Sequence, residues 1–185
     1  MSKNNNKTKI TILLSFMLIM SGLLLGACSK VDVEDTNEEV IKKVLKHQFT
    51  GPDEKFIDLS LNPKYTTVVN NKAENKEFNK HLEKVYGPYF IDSYLDSFIA
   101  TFGMQYQGFA SFFGYKLSLK DITIEQGEKN SNRYTFIAKV GYKKSGDEEK
   151  TANVEGEVVF STKKEGKIEG FQYKDDNGLS DILRN

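Results

Sequence analysis

The chain has 185 residues, and its 26 Lys and Arg side chains balance 26 Asp and Glu side chains. The first 27 residues hold three of the lysines and no acid, so residues 28–185 carry 23 basic against 26 acidic groups, a net charge of −3. This balance excludes the clear basic excess of a nucleic-acid-binding protein, and the length suits a single domain.

The N-terminal segment has the pattern of a secretory signal peptide. Three lysines precede a nearly continuous apolar run over residues 10–25. As a helix the run would span roughly 24 Å, which falls short of the ~30 Å hydrocarbon core of a bilayer. The short apolar core, followed by the small residues Gly26 and Ala27, is typical of a cleaved signal and makes a poor permanent membrane span.

The one cysteine of the chain directly follows this run. Cys28 comes after Leu25, Gly26 and Ala27, an arrangement that resembles the lipobox of bacterial lipoproteins. The resemblance covers residues 1–28. It implies cleavage between Ala27 and Cys28, a diacylglycerol group on the Cys28 sulfur, and fatty acyl chains such as palmitate that hold the protein on the extracytoplasmic face of the cell membrane. The alternatives are an ordinary signal peptide with a chance cysteine, or an uncleaved anchor.

We therefore predict three segments: a signal peptide over residues 1–27, a lipidated tether over 28–35 and a single domain over 36–185. The tether is short, polar and acidic. At ~3.5 Å per residue, its seven residues after the cysteine reach only about 25 Å. The domain is thus expected to lie close to the bilayer.

The first half of the predicted domain has helical spacing of its apolar residues. Thr36 and Glu39 fit a capping box, and this first helix ends before Gly51-Pro52. Pro52 opens a second short helix, which Pro63 closes.

Two further helices are predicted in this half. The charged segment over residues 72–86 has a narrow apolar stripe, and the segment over 89–102 has the clearest helical face in the chain. Residues 104–114 do not continue the helical pattern cleanly.

In the second half the period of the pattern changes to two, which indicates strands. A phase slip predicts a β-bulge near Lys120 or Asp121. Further strands are predicted over residues 134–142, 152–160 and 167–174, and a short helical tail over 179–183. Helices followed by about four strands with short connections predict an α+β fold, with the N-terminal helices packed on a curved antiparallel sheet.

This order of elements resembles the NTF2-like, cone-shaped α+β domains of many small secreted and lipid-anchored proteins. The resemblance rests on element order and length, and it implies an apolar cavity between helices and sheet. The alternatives are a cystatin-like sheet wrapped on one helix and a lipocalin-like barrel.

Few residues offer catalytic or metal chemistry. His47 and His81 lie on predicted helices without a second ligand at i+3 or i+4, so we predict no metal site and no cofactor, and both histidines are interpreted as surface or boundary residues. Asp92 and Asp96 fall opposite the apolar stripe of their helix, on the solvent side. No Gly-x-Ser-x-Gly motif is present in the chain.

The most unusual feature of the domain is its aromatic segment, since half of the chain's 22 Phe and Tyr residues lie between positions 86 and 115. Aromatic residues usually form core, and Phe98, in the middle of the stripe, is expected there. The functional interpretation is a pocket or docking surface formed by Tyr94, Phe98, Tyr106, Phe112 and Phe113. Because neighbours in extended backbone face opposite ways, one of the last two is expected at the surface.

These observations predict a lipid-anchored binding or assembly module, and no enzyme. Its predicted partners are the membrane, through Cys28, and a membrane-proximal protein, with no nucleic acid. The alternatives are a carrier of a lipid or wall fragment, or an NTF2-like enzyme. A buried Asp or His facing an open cavity would favour the enzyme.

Overall fold

Among the residues that the structure describes, five helices precede the main sheet and a short sixth helix follows it. The computed structural model describes residues 36–128 and 131–185. The predicted signal peptide, cleavage site, lipidation site and tether lie outside the described residues. The helices are α1 (Thr36–Phe49), α2 (Glu54–Leu61), α3 (Lys76–Tyr86), α4 (Asp92–Phe98), α5 (Gln105–Phe113) and α6 (Leu179–Leu183), with a 3-10 turn at Pro63–Tyr65 and a π-helical turn at Ile99–Gly103.

The apolar spacing of α1 places one face of the helix in the core. Its buried residues are Ile41, Val44, Leu45, Gln48 and Phe49. The next two long helices start at side-chain caps, because the Asp53 carboxylate accepts a hydrogen bond from Phe56 N at 2.7 Å and the Asn75 amide accepts one from Phe78 N at 2.9 Å. These caps satisfy backbone donors that a helix start leaves unpaired.

The prediction of a helix over residues 72–86 is wrong at its start. Lys72–Glu74 forms strand β2, which pairs antiparallel with β1 (Thr67–Val69), and the helix begins at Lys76. Asn70 and Asn71 have φ values of 52° and 62° and form the two-residue turn between these strands. Asn tolerates this left-handed conformation, which tight hairpin turns require.

The aromatic segment is also arranged differently from the prediction. The helix expected over residues 89–102 begins at Asp92, because Phe90 forms a bridge with Ile168, and its last turn is π-helical. The region after it is a regular helix, α5, which is capped at its C-terminal end by Gly114 with φ 77°. Phe112 and Phe113 are thus neighbours on a helix, and the expectation of extended backbone there is wrong.

The main sheet has four antiparallel strands in the order β3–β4–β5–β6. They are β3 (Tyr115–Gln126), β4 (Arg133–Lys144), β5 (Lys150–Phe160) and β6 (Ile168–Asp175). The register of β3 against β4 shifts between Leu119 and Asp121, which confirms the predicted bulge. Because β3 and β6 are not paired with each other, the sheet is open, and the fold is α+β as predicted.

The core lies between the helices and one face of the sheet. Alternate residues of β4 are buried on this face: Tyr134, Phe136, Ala138 and Val140. Aromatic rings fill the space above them. Phe98 stacks on Phe90 with ring centroids 4.0 Å apart, and the ring of Phe171 lies 5.3 Å from that of Phe98.

Candidate functional site

The structure distributes the five residues of the predicted docking surface between core and surface. Phe98 and Tyr106 have no exposed area and belong to the core, and Tyr94 is half-buried. Phe113 is half-buried, whereas Phe112 is 72% exposed. An aromatic side chain with that much exposed area offers a binding group that the core does not use.

Buried polar groups between the helices and the sheet are joined by hydrogen bonds. Gln48, only 1% exposed, donates from Nε2 to the Tyr86 hydroxyl at 2.8 Å and accepts from the Tyr173 hydroxyl at 3.3 Å. Burial raises the pKa of Tyr86 and of Tyr173 well above the ordinary value. Both hydroxyls therefore stay protonated and able to donate, so this network stabilises the core.

Phe112 borders an apolar groove of about 330 Å³, which we call the Phe112 groove. It lies between α2, α3, α5 and the β1–β2 hairpin. Its lining includes Phe56, Leu61, Phe78, Met104, Ser111 and Phe112. Leu61 is 51% exposed and Met104 42% exposed. Three large apolar side chains thus remain accessible around one concave surface.

The Phe112 groove also contains an unsatisfied polar atom. Ser111 lines the groove, and its Oγ is buried without a hydrogen-bond partner among the described residues. A buried hydroxyl without a partner costs free energy, about 1–3 kcal/mol. A ligand that brings a polar group into the groove would recover part of this cost.

One wall of the groove is the small hairpin. Ala73, Glu74 and Asn75 line the groove, and β2 pairs only with β1 among the described strands. The other edge of β2 therefore has no strand beside it. Open strand edges of this kind pair readily with extended peptide segments.

A second concave site lies between α1 and α3, and Phe56 lines both sites. This site, the histidine cleft, has a volume of about 490 Å³ and contains both histidines of the chain. The ring of His47 lies 6.0 Å from the ring of Tyr86 and 6.0 Å from that of Tyr89. Leu82 and Val85 add apolar lining.

The environment of the cleft opposes protonation of both imidazoles. Burial lowers the pKa of His47, and the charges of Lys46 and of His81 lower it further. Burial also lowers the pKa of His81, with Lys55 acting in the same direction and Asp53 against it. Each imidazole is neutral at pH 7 and retains one donor and one acceptor nitrogen.

Helix α5 holds the backbone of His47 in place through hydrogen bonds. The Gln107 side chain donates hydrogen bonds to the backbone carbonyl of His47 and, at 3.2 Å, to that of Thr50. The chain then turns at Gly51, whose φ of 134° suits glycine, and pairs with Leu117 of β3. The end of α1 is therefore held by two elements distant in sequence.

Sequence reasoning missed this cleft. His47 and His81 are 34 positions apart on different helices, and neither spacing nor periodicity indicates that α1 and α3 bring them together. The sequence did contain one signal, the position of each histidine next to a buried residue. His47 directly precedes the buried Gln48, and His81 directly precedes the buried Leu82. Each histidine thus lies at the border of an apolar helical face.

The other candidate groups remain apart from both sites. Asp92 and Asp96 are exposed, and Asp92 forms an ion pair with Lys164 at 2.9 Å. Over residues 36–128 and 131–185, no group of three or more His, Cys, Asp or Glu side chains is arranged to hold a metal ion. In the same residues, no helix has the length and apolar character needed to span a bilayer.

Comparisons with known proteins found no relative of this chain: no family, no curated protein and no solved structure matches it. The NTF2-like resemblance therefore stays a prediction, and the two concave sites carry the functional argument.

Proposed function

We propose that this chain is a lipid-anchored binding protein on the extracytoplasmic face of the bacterial cell membrane, and that the Phe112 groove docks an extended apolar segment of a membrane-proximal partner protein. Attachment through Cys28 is inferred from the lipobox-like sequence. The docking role is inferred from the groove.

The observation that carries the docking role is the exposure of Phe112. Ten other aromatic residues lie between positions 86 and 115, all buried or half-buried, whereas Phe112 is largely exposed. It borders a concave surface with two more accessible apolar side chains, Leu61 and Met104. Large apolar side chains around a pocket are typical of the anchor points of protein interfaces.

The open edge of β2 favours an extended segment as the occupant. Such a segment pairs its backbone with Ala73 and its neighbours, while alternate side chains enter the groove. The Ser111 hydroxyl, which has no hydrogen-bond partner among the described residues, favours a hydroxyl side chain among those that enter the groove. The partner chemistry is therefore an extended segment in which every second residue faces the groove, and these residues are apolar except for one that carries a hydroxyl.

The docking role is tested with a fluorescein-labelled hexapeptide that has leucine, threonine and leucine at alternate positions and serine at the positions between them, whose binding to the full chain is followed by fluorescence anisotropy. Phe112→Ser is expected to weaken binding at least about tenfold, the effect of losing one anchor side chain. The matched control is Ile137→Ser, which removes a 42% exposed apolar side chain from the outer face of the sheet. The control is expected to bind like the wild type, and equal loss in both variants would contradict the docking role.

The anchoring role has its own test. Cys28→Ala removes the acceptor sulfur, so the variant is expected to move from the membrane fraction to the soluble fraction and to lose metabolic labelling with palmitate. Ala27 and the rest of the apolar run stay intact in this variant. A wild-type chain that is unlabelled would contradict the lipid anchor without affecting the groove.

A further inference from the structure

We propose that the histidine cleft is a second binding site, which takes an amphiphilic phosphate: a phosphate monoester placed between His47, His81 and Lys46, with an apolar chain lying on Leu82 and Val85. The site is distinct from the Phe112 groove, and its test does not depend on the docking role.

The charges of the cleft select an anion over a cation. Lys43 and Lys46 line it, and Lys55 and Lys84 act on His81 with their positive charge. Among the described residues that line it, the one acid is Asp53, and its Oδ1 accepts a hydrogen bond from the backbone N–H of Phe56 at 2.7 Å. The lining thus presents an excess of cationic donors, which attracts phosphate oxygens and disfavours a divalent metal.

The shape and lining of the cleft select an amphiphile over a bare anion. Its volume of about 490 Å³ exceeds what one phosphate group fills and falls within the ~300–1,000 Å³ of small-molecule sites. Polar side chains of α1 and α3 line part of the cleft, and Leu82, Val85 and Tyr89 supply apolar lining. A ligand with a charged head and an apolar chain can contact both the polar and the apolar lining of the cleft.

Binding of this ligand is expected to take up protons. Burial lowers the pKa of both imidazoles, and a phosphate beside them stabilises their charged form. The charged groups that face them are Lys43, Lys46, Asp53, Lys55 and Lys84. Tyr86 and Tyr89 also contact His47, and the hydroxyl of Tyr86 stays protonated. Affinity for an anion whose own charge stays constant should therefore rise as the pH falls from 7.5 to 6.

The experiment uses the full chain in phosphatidylcholine nanodiscs, with histidine labelled with ¹³C at Cε1. Because the chain has only two histidines, the spectrum reports the cleft directly. Hexyl phosphate is expected to shift both signals saturably and to bind about tenfold or more tighter than inorganic phosphate, because burial of two methylenes already gives this factor. Hexanol, which lacks the anion, is expected to leave both signals in place.

Matched variants separate the cleft from general electrostatics. Lys46→Gln is expected to weaken hexyl phosphate binding at least about fivefold, whereas Lys139→Gln, which removes the same charge from the exposed outer face of the sheet, is expected to have no effect. Sulfate, which keeps its charge over this range, is expected to bind more tightly at pH 6 than at pH 7.5.

Four outcomes overturn the proposal or a part of it. Equal shifts with sodium chloride at the same ionic strength show a non-specific ionic effect. Equal losses in the two lysine variants show that the cleft is not the site. Saturable shifts with Zn²⁺ and none with hexyl phosphate show a cation site. Binding of inorganic phosphate as tight as that of hexyl phosphate overturns the apolar part and identifies a free anion as the ligand.

Discussion

The hydroxyl of Tyr94 forms two hydrogen bonds with the backbone of Phe171: it accepts from the N–H at 3.0 Å and donates to the carbonyl at 2.9 Å. Tyr94 belongs to α4 and Phe171 to β6, the last strand of the main sheet. An edge strand exposes unpaired backbone groups that favour pairing with other chains. One side chain here satisfies a donor and an acceptor at that edge.

Tyr94→Phe is therefore expected to destabilise the domain by about 1–3 kcal/mol, because it leaves both backbone groups of Phe171 without their partner in a half-buried place. Urea denaturation measures this loss. Tyr65→Phe is the matched control, since the Tyr65 hydroxyl donates to the exposed carboxylate of Asp58 at 3.0 Å and its other neighbour, Lys64, is also exposed. The control is expected to change stability by less than about 0.5 kcal/mol. Equal effects of the two variants would refute the edge-capping role.

Gly156 provides a second prediction. It pairs with Phe136 across the sheet, and a Cβ at this position would lie 2.3 Å from Phe136 Cζ and 2.6 Å from the carbonyl oxygen of Gln172. The backbone carbonyl cannot move away without breaking β6, so Gly156→Ala is expected to cost about 1–3 kcal/mol or more.

The control for this change is Gly108→Ala in α5, where a Cβ meets no atom within 4 Å. Alanine forms helix better than glycine, so this variant is expected to gain about 0.5–1 kcal/mol. Thermal unfolding of both variants followed by circular dichroism measures the two shifts. Shifts of the same sign would contradict the steric argument.

A third pair of variants tests which residues of the aromatic segment belong to the core and which to the surface. Phe98 has no exposed area and stacks on Phe90, so Phe98→Ala is expected to cost about 3–5 kcal/mol. Phe112 is largely exposed, and Phe112→Ala is expected to stay within about 1 kcal/mol of the wild type. Chemical denaturation compares the two. A loss of several kcal/mol in Phe112→Ala would place it in the core and remove the main support for the docking groove.

Sequence patterns were sufficient for the elements whose residues interact locally. The bulge after Leu119 follows from a visible phase slip, and the tail helix over 179–183 lies where it was predicted, directly after the Asn177-Gly178 turn. The β1–β2 hairpin was not predicted, because its three-residue strands are too short to show alternation. Helix α5 was not predicted, because Gly108 and two glutamines interrupt its apolar pattern, and its stability comes from contacts with α1, β3 and α6.

The two concave sites depend even more on tertiary packing. The Phe112 groove joins α2, α3, α5 and the hairpin, and the histidine cleft joins α1 and α3. No local period encodes the distance between His47 and His81, since packing of the whole helical layer sets it. Phe112 is exposed because it lies on the outer side of α5. The sequence did not indicate this, because no helix was predicted over residues 104–114.

The last prediction concerns pH. His47 and His81 both have pKa values below the ordinary 6.5, chiefly because of burial. The unfolded chain therefore binds more protons than the folded one in this range, and stability rises with pH there. The contribution of the histidines to stability is fully present above pH 6.5 and is lost as the pH falls through their folded pKa values.

The free energy of unfolding should thus decrease between pH 7.5 and pH 5, before the carboxylates protonate. The pKa values of Asp58 and Glu157 are lowered by hydrogen bonds from their neighbours, so their contribution is lost only at more acidic pH. Urea denaturation in phosphate-free buffer measures the decrease and keeps the cleft free of anions. In the double variant His47→Gln/His81→Gln the slope between pH 7.5 and pH 5 is expected to flatten. An unchanged slope in that variant would show that other groups, and not the histidine cleft, control stability in this range.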